Sequence, residues 1–142
     1  MTNAQTVYEM AIALMDSMSD SGKADVADNN EYKYRALPIL NILRGELYPY
    51  SDTHETDEEG RPIAALIRDF KKPIDLDDYI CQSVMPYGLA AHLLLQEDPA
   101  AASFCQQRYD ELKRTLAIGL PAKSEYIEDV YGGWPYNDFG SW

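Results

Sequence analysis

The stretch "SVMPYGLAAHLLLQ", Ser83 to Gln96, decides the fold. Apolar side chains fall on nearly every side of it, and a helix that is apolar all round is the central one of a bundle. Yet Pro86 and Gly88 stand inside it. An interior proline removes a backbone hydrogen bond and crowds the preceding turn, at about 3 kcal/mol. Pro86 withholds its N–H from the carbonyl of Gln82. The same device recurs in "YRALPILNILRGELYP", Tyr34 to Pro49, where Pro38 withholds one from Tyr34. Pro38 and Pro86 are read as helix kinks. Such kinks improve the wrap of one helix around another, or shape a surface for a partner.

Working outward, the central helix begins at Asp75, with Asp77 and Asp78 in a first turn where negative charge suits the helix dipole. It is followed by "EDPAAASFCQQRYDELKRTL", in which Asp98 is the N-cap and Pro99 the first helical residue, where a missing N–H is harmless. Cys105, Tyr109, Leu112 and Leu116 face inward, and Gly119 and Pro121 close this helix. Upstream, Val7, Met10, Ala11, Leu14 and Met18 give one apolar face over Ala4 to Met18. Asn30 is placed to cap a second helix, reaching Tyr48 with Tyr32, Ala36, Ile39, Leu40, Leu43 and Leu47 on one side. Between helices two and three lie an acidic loop, "YSDTHETDEEGRP", and a short apolar run, "IAALIRDF" (Ile63 to Phe70), read as a strand or an extended arm. The expected fold is mainly α: a four-helix bundle-like domain over residues 1–123 with an extended apolar arm between helices two and three. An irregular aromatic tail occupies 124–142, where Gly132, Gly133 and Pro135 prevent a regular helix.

The bulk numbers narrow the function. With 142 residues, one domain is the default. Acidic residues number 24 against 12 basic ones, a net charge of -12. Such a chain is repelled by nucleic-acid phosphates unless its cations cluster, and Lys71-Lys72 and Lys113-Arg114 are isolated pairs. No basic segment leads into an apolar core at the N-terminus, so no signal peptide is expected, and no stretch approaches the roughly 20 apolar residues of a membrane span. The reading is a protein of a reducing cytoplasm. Cys81 and Cys105 match no metal or redox spacing and are read as buried free thiols.

Little reads as catalytic. Asp52, His54, Glu55, Asp57, Glu58 and Glu59 offer oxygen ligands, but the order does not fit a calcium loop, and a solvated charge run is the plainer reading. His54 and His92 have no nucleophile in a recognisable local arrangement, and His92 is read as a core or partly exposed histidine. No glycine-rich phosphate loop is present, and nothing singles out two carboxylates for acid–base work. No catalytic residue, metal site or cofactor is expected.

"LPILNILRGELYPYSD", followed by "LDDYICQSVMPYGLAAHLLLQEDPAAASFCQQRYDELKRTL", resembles the head–tail connector proteins of tailed bacteriophages and prophages, also called adaptor or head-completion proteins. The resemblance covers roughly Glu31 to Leu116. It rests on Met85-Pro86-Tyr87-Gly88-Leu89-Ala90 in the central helix, on Asp98, Phe104, Gln107, Arg108, Tyr109, Glu111 and Leu112 in the next, and on the "EDVYGG" run of the tail. These are packing residues and not reacting groups. The resemblance implies a non-enzymatic structural subunit. Copies form a homo-oligomeric ring between the portal protein and the tail or neck proteins. Double-stranded DNA passes through the ring without specific binding, which an acidic channel favours. Such a protein is made in the cytoplasm of a bacterial host and ends in the virion, at the head–tail junction.

Six tail aromatics, Tyr126, Tyr131, Trp134, Tyr136, Phe139 and Trp142, are the candidate partner-binding residues, since large rings on a segment without its own core must pack on something else. Other readings are another phage neck or tail assembly component, a free acidic DNA mimic that blocks a basic partner, with strong salt dependence, and a small hydrolase. The aromatic tail suits docking better than charge mimicry, and no assembled nucleophile and base supports the hydrolase.

Overall fold

The structure is a computed structural model, which describes residues 1–15, 29–51 and 65–119. The described chain is mainly helical: α1 (Ala4–Leu14), α2 (Asn30–Leu47), α3 (Asp78–Ser83), α4 (Met85–Leu94) and α5 (Pro99–Gly119). A 3-10 turn, Tyr48–Tyr50, follows α2, with Pro49 in it. The acidic loop beyond Ser51 and the aromatic tail lie outside the described residues.

α4 is the centre of the bundle. It packs on α1, α2, α3 and α5, and eight of its ten residues are buried. α1 presents Ala4, Val7, Tyr8, Ala11 and Ile12, and α2 presents Ala36, Leu40, Leu43 and Leu47. Cys105 and Tyr109 of α5 complete the core, with Leu112 and Leu116 packed against its edge. The face of α1 is rotated from the expected one. Val7 and Ala11 are inside, but Leu14 is 42% exposed and Tyr8 and Ile12 take the interior. The reason is the arm, which covers the flank of α1 nearest Tyr8: the Phe70 ring meets the Tyr8 ring edge-on at 5.8 Å.

Two caps move. Asn30 is the first helical residue and Asn29 holds the cap position, with no side-chain capping bond. The third helix is preceded by Asp77, not Asp75, again without one. Asp98 behaves as read: its carboxylate accepts the N–H of Ala101 at 3.1 Å, ahead of Pro99 at the helix start. Asn3 caps α1 by accepting from the Thr6 N–H at 2.9 Å, which the sequence reading did not single out.

The two prolines behave differently. Pro38 lies inside an unbroken α2, on its exposed side. Pro86 accompanies a one-residue interruption at Val84, which divides the long helix expected over 75–96 into two segments. α3 stops at Ser83, Val84 takes φ -102 and ψ -51, and α4 restarts with the proline in its first turn. There the missing N–H is not required. The joint stays tight, because the Gly88 N–H still reaches the Val84 carbonyl at 3.4 Å. From sequence, Pro86→Ala is expected to hold or gain stability by restoring a bond to Gln82. The structure reverses that sign, since the Pro86 ring is buried. Alanine removes ring carbons at roughly 0.8 kcal/mol per buried methylene, so a net loss of about 1 kcal/mol is expected in chemical denaturation, with the helical circular dichroism unchanged. A gain in stability would show that the break itself is strained.

Candidate functional site

Residues 65–77 have no regular structure, yet they are fastened at close intervals. Asn41 of α2 acts as a clamp. Its side-chain amide donates to the Ile67 carbonyl at 2.8 Å and accepts the Ile67 N–H at 2.7 Å, so it pairs with the arm as a neighbouring strand would. One turn on, buried Arg44 donates to the Ala65 carbonyl at 2.8 Å. Its guanidinium also lies over the Tyr48 ring and 3.8 Å from the Asp75 carboxylate. Further along, the Gln5 N–H donates to the Phe70 carbonyl at 3.0 Å and the Ile74 N–H to the Thr2 carbonyl at 2.7 Å. A single antiparallel bridge joins Asn3 and Pro73. The extended arm is therefore present, held by side chains of α2 and by backbone bonds to the N-terminal residues.

Thr2 is in turn held by α3. Its N–H and hydroxyl both donate to Asp78 Oδ1, at 2.9 and 2.8 Å, and Gln82 donates to its hydroxyl. These bonds favour the carboxylate and hold Asp78 below the usual carboxylate range. A lowered folded pKa adds stability above the unfolded value of about 3.9, and that stability is lost as pH falls through the folded value. Asp78→Asn should therefore lower the urea midpoint at pH 7, and the difference from the parent should close as pH falls below about 4. A difference that persists unchanged at the acid end would mean that the bonds to Thr2 do not depend on the charge.

The arm and α2 together bound an open groove of about 590 Å³, lined by Leu37, Pro38, Asn41, Ile42, Leu66, Ile67 and Arg68. With 3.6 residues per turn, Tyr34, Pro38, Ile42 and Gly45 fall on one stripe of α2, roughly opposite the buried stripe of Ala36, Leu40, Leu43 and Leu47. The stripe is in water: Tyr34 is 80% exposed, Ile42 67%, and Leu66 beside them 66%. Pro38, read from sequence as a kink, also belongs to an outward apolar surface. This surface is legible in the sequence only as apolar residues spaced by four off the buried face, a weaker pattern than the inward stripe beside it. Asn41 and Arg44 were missed because nothing local marks a side chain that bonds backbone 21 or 26 residues away.

Two other grooves lie between helices. One, of about 630 Å³, runs between α4 and α5 past His92, Ser103, Gln107 and Asp110. The other, of about 520 Å³, runs between α1, α3 and α5 and includes Pro86, Tyr79 and Leu14. His92 is exposed on the one polar position of α4. His54 lies outside the described residues, as do Asp52, Glu55, Asp57, Glu58 and Glu59, and the tail residues Tyr126, Tyr131, Trp134, Tyr136, Phe139 and Trp142. Cys81 and Cys105 are free and buried, as read. Burial raises both thiols, Cys81 to about 12, so neither is a thiolate at neutral pH. Tyr32 is raised to about 12 by its hydrogen bond to Glu97, which ties the start of α2 to the turn after α4. Lys113 of α5 pairs with Glu46 of α2, which raises its pKa. Among the described residues no group of three His, Cys, Asp or Glu is placed to hold a metal ion, and no helix is long and apolar enough to cross a membrane. No protein-family model, curated protein or solved structure matches this chain.

Proposed function

We propose that this chain is a structural assembly subunit, and specifically a head–tail connector of a tailed bacteriophage or prophage. The observation that carries the reading is the apolar stripe of Tyr34, Pro38 and Ile42, joined by Leu66, standing in water on the surface of an acidic helical body. Contiguous apolar surface of this kind marks a protein–protein contact. The resemblance of the Glu31–Leu116 sequence to connector proteins supplies the partner: a portal ring on one side and tail or neck proteins on the other. The net charge of -12 suits a channel through which DNA passes without being held. It also opposes self-association, so the isolated chain is expected to be mainly monomeric, with only transient contacts between copies until the ring forms on its portal template.

The test is assembly. The full chain mixed with a phage portal protein from the same genome should form rings on the portal that electron microscopy resolves, while the chain alone sediments as a monomer. No binding to that portal, together with tight and steeply salt-dependent capture of a DNA-binding enzyme, would replace this reading with that of an acidic DNA mimic.

A further inference from the structure

We infer that the α2–arm groove is the receptor for the C-terminal segment 124–142 of a neighbouring copy of this chain. Its floor and rim are apolar: Leu37, Pro38, Ile42, Leu66 and Ile67. One cation, Arg68, stands in its lining, and the arm that follows carries two more cations, Lys71 and Lys72, and one acid, Asp69. All three cations are exposed and make no ion pair among the described residues. The groove therefore fits an occupant that is both aromatic and acidic. Residues 124–142 have that composition: six aromatic residues, the acids Glu125, Glu128, Asp129 and Asp138, and no Lys or Arg. Aromatic anchors in an apolar groove with opposite charge beside it are a recurring mode of segment recognition.

Reach permits docking on the chain's own groove or on that of a neighbour. Nineteen residues, 124–142, span roughly 60 Å when extended, at about 3.3 Å each. α5 ends beside the C-terminal end of α2, the helix that carries the groove, where Tyr50, Lys113 and Ala117 adjoin. A tail-to-groove contact uses two different patches, and such a heterologous contact propagates into a ring when its rotation closes. The neighbouring copy as donor rests on the ring reading above. The pairing also offsets part of the mutual repulsion of acidic subunits, because it sets acids of one copy against cations of the next.

Cysteine trapping in the full chain tests this without portal or DNA, so its failure is separable from failure of the connector reading, which portal binding judges. Gly45→Cys places a thiol on the exposed stripe, where an added Cβ meets nothing within 4 Å. Asn137→Cys places one in the tail and keeps every aromatic and acid. Native Cys81 and Cys105 are buried and silent. Mixed G45C and N137C chains should form a disulfide-linked dimer about tenfold faster than S103C mixed with N137C, because docking raises the local concentration of the pair. Ile42→Asp in the G45C chain, or added salt, should abolish most of that difference. Equal rates for the groove and the Ser103 control would overturn the assignment. A G45C/N137C double variant that closes only within one chain would overturn it too, by showing that the segment returns to its own groove.

Discussion

Gly88→Ala is expected to destabilise the protein by roughly 1–3 kcal/mol, although alanine is the better helix former by about 1 kcal/mol. The reason is contact. An ideal Cβ at Gly88 would stand 2.9 Å from both Cδ2 and Cε2 of Tyr109 and 3.1 Å from Cδ2 of Leu43. The Tyr109 ring is rigid and buried to 1% exposure, so it has nowhere to move. α4 therefore approaches α5 and α2 closely because position 88 has no side chain. At this chain length the expected fall in Tm is on the order of 3–10 °C. The measurement that separates packing from propensity is a double-mutant cycle with Tyr109→Leu. Removing the ring frees the space, so Gly88→Ala should become neutral or stabilising in that background, with a coupling above about 1 kcal/mol. Additive effects would show that the ring is not what excludes the methyl group.

Asn41→Leu should produce the second large effect, about 2–3 kcal/mol from two backbone groups left without partners, at about 1–3 kcal/mol for each buried one. Leucine has similar bulk but can neither accept the Ile67 N–H nor donate to its carbonyl. The loss is bounded by release of the arm, which returns those groups to water. Hydrogen exchange therefore reads the result better than a melt does: the Ile67 amide should lose its protection while the amides of α4 keep theirs. Asn41→Asp discriminates further. Its carboxylate can still accept the N–H but repels the Ile67 carbonyl, so it should fall on the side of leucine. If Ile67 stays protected in both variants, the arm is held by Arg44 and by the burial of Ile67, which is 7% exposed, and the clamp is incidental.

The helices were readable because their signals are local. Apolar spacing, Asp98 before Pro99, and the apolar run of 84–95 all act within a few residues, and a bundle around the central helix follows from them. Where the long helix would break was not readable. Pro86 is compatible with a kink inside one helix or a restart of the next; the outcome depends on whether its ring is buried against neighbours, and it is. Pro38, the same residue in a similar pattern, sits on the outer side of a helix that continues through it without interruption.

The sequence by itself determined a mainly α body with a central apolar helix, an arm after helix two, buried thiols, and a charge that disfavours gripping DNA. These follow from periodicity, capping and Coulomb repulsion, which need no tertiary contact. The tertiary structure alone decided why position 88 is glycine, because that depends on a ring 21 residues away. It alone decided that Asn41 and Arg44 hold the arm, since a side-chain bond to distant backbone leaves no local pattern. The outward apolar stripe of α2 was likewise decided there: a helix surface is interior or exterior only with respect to what packs against its other side.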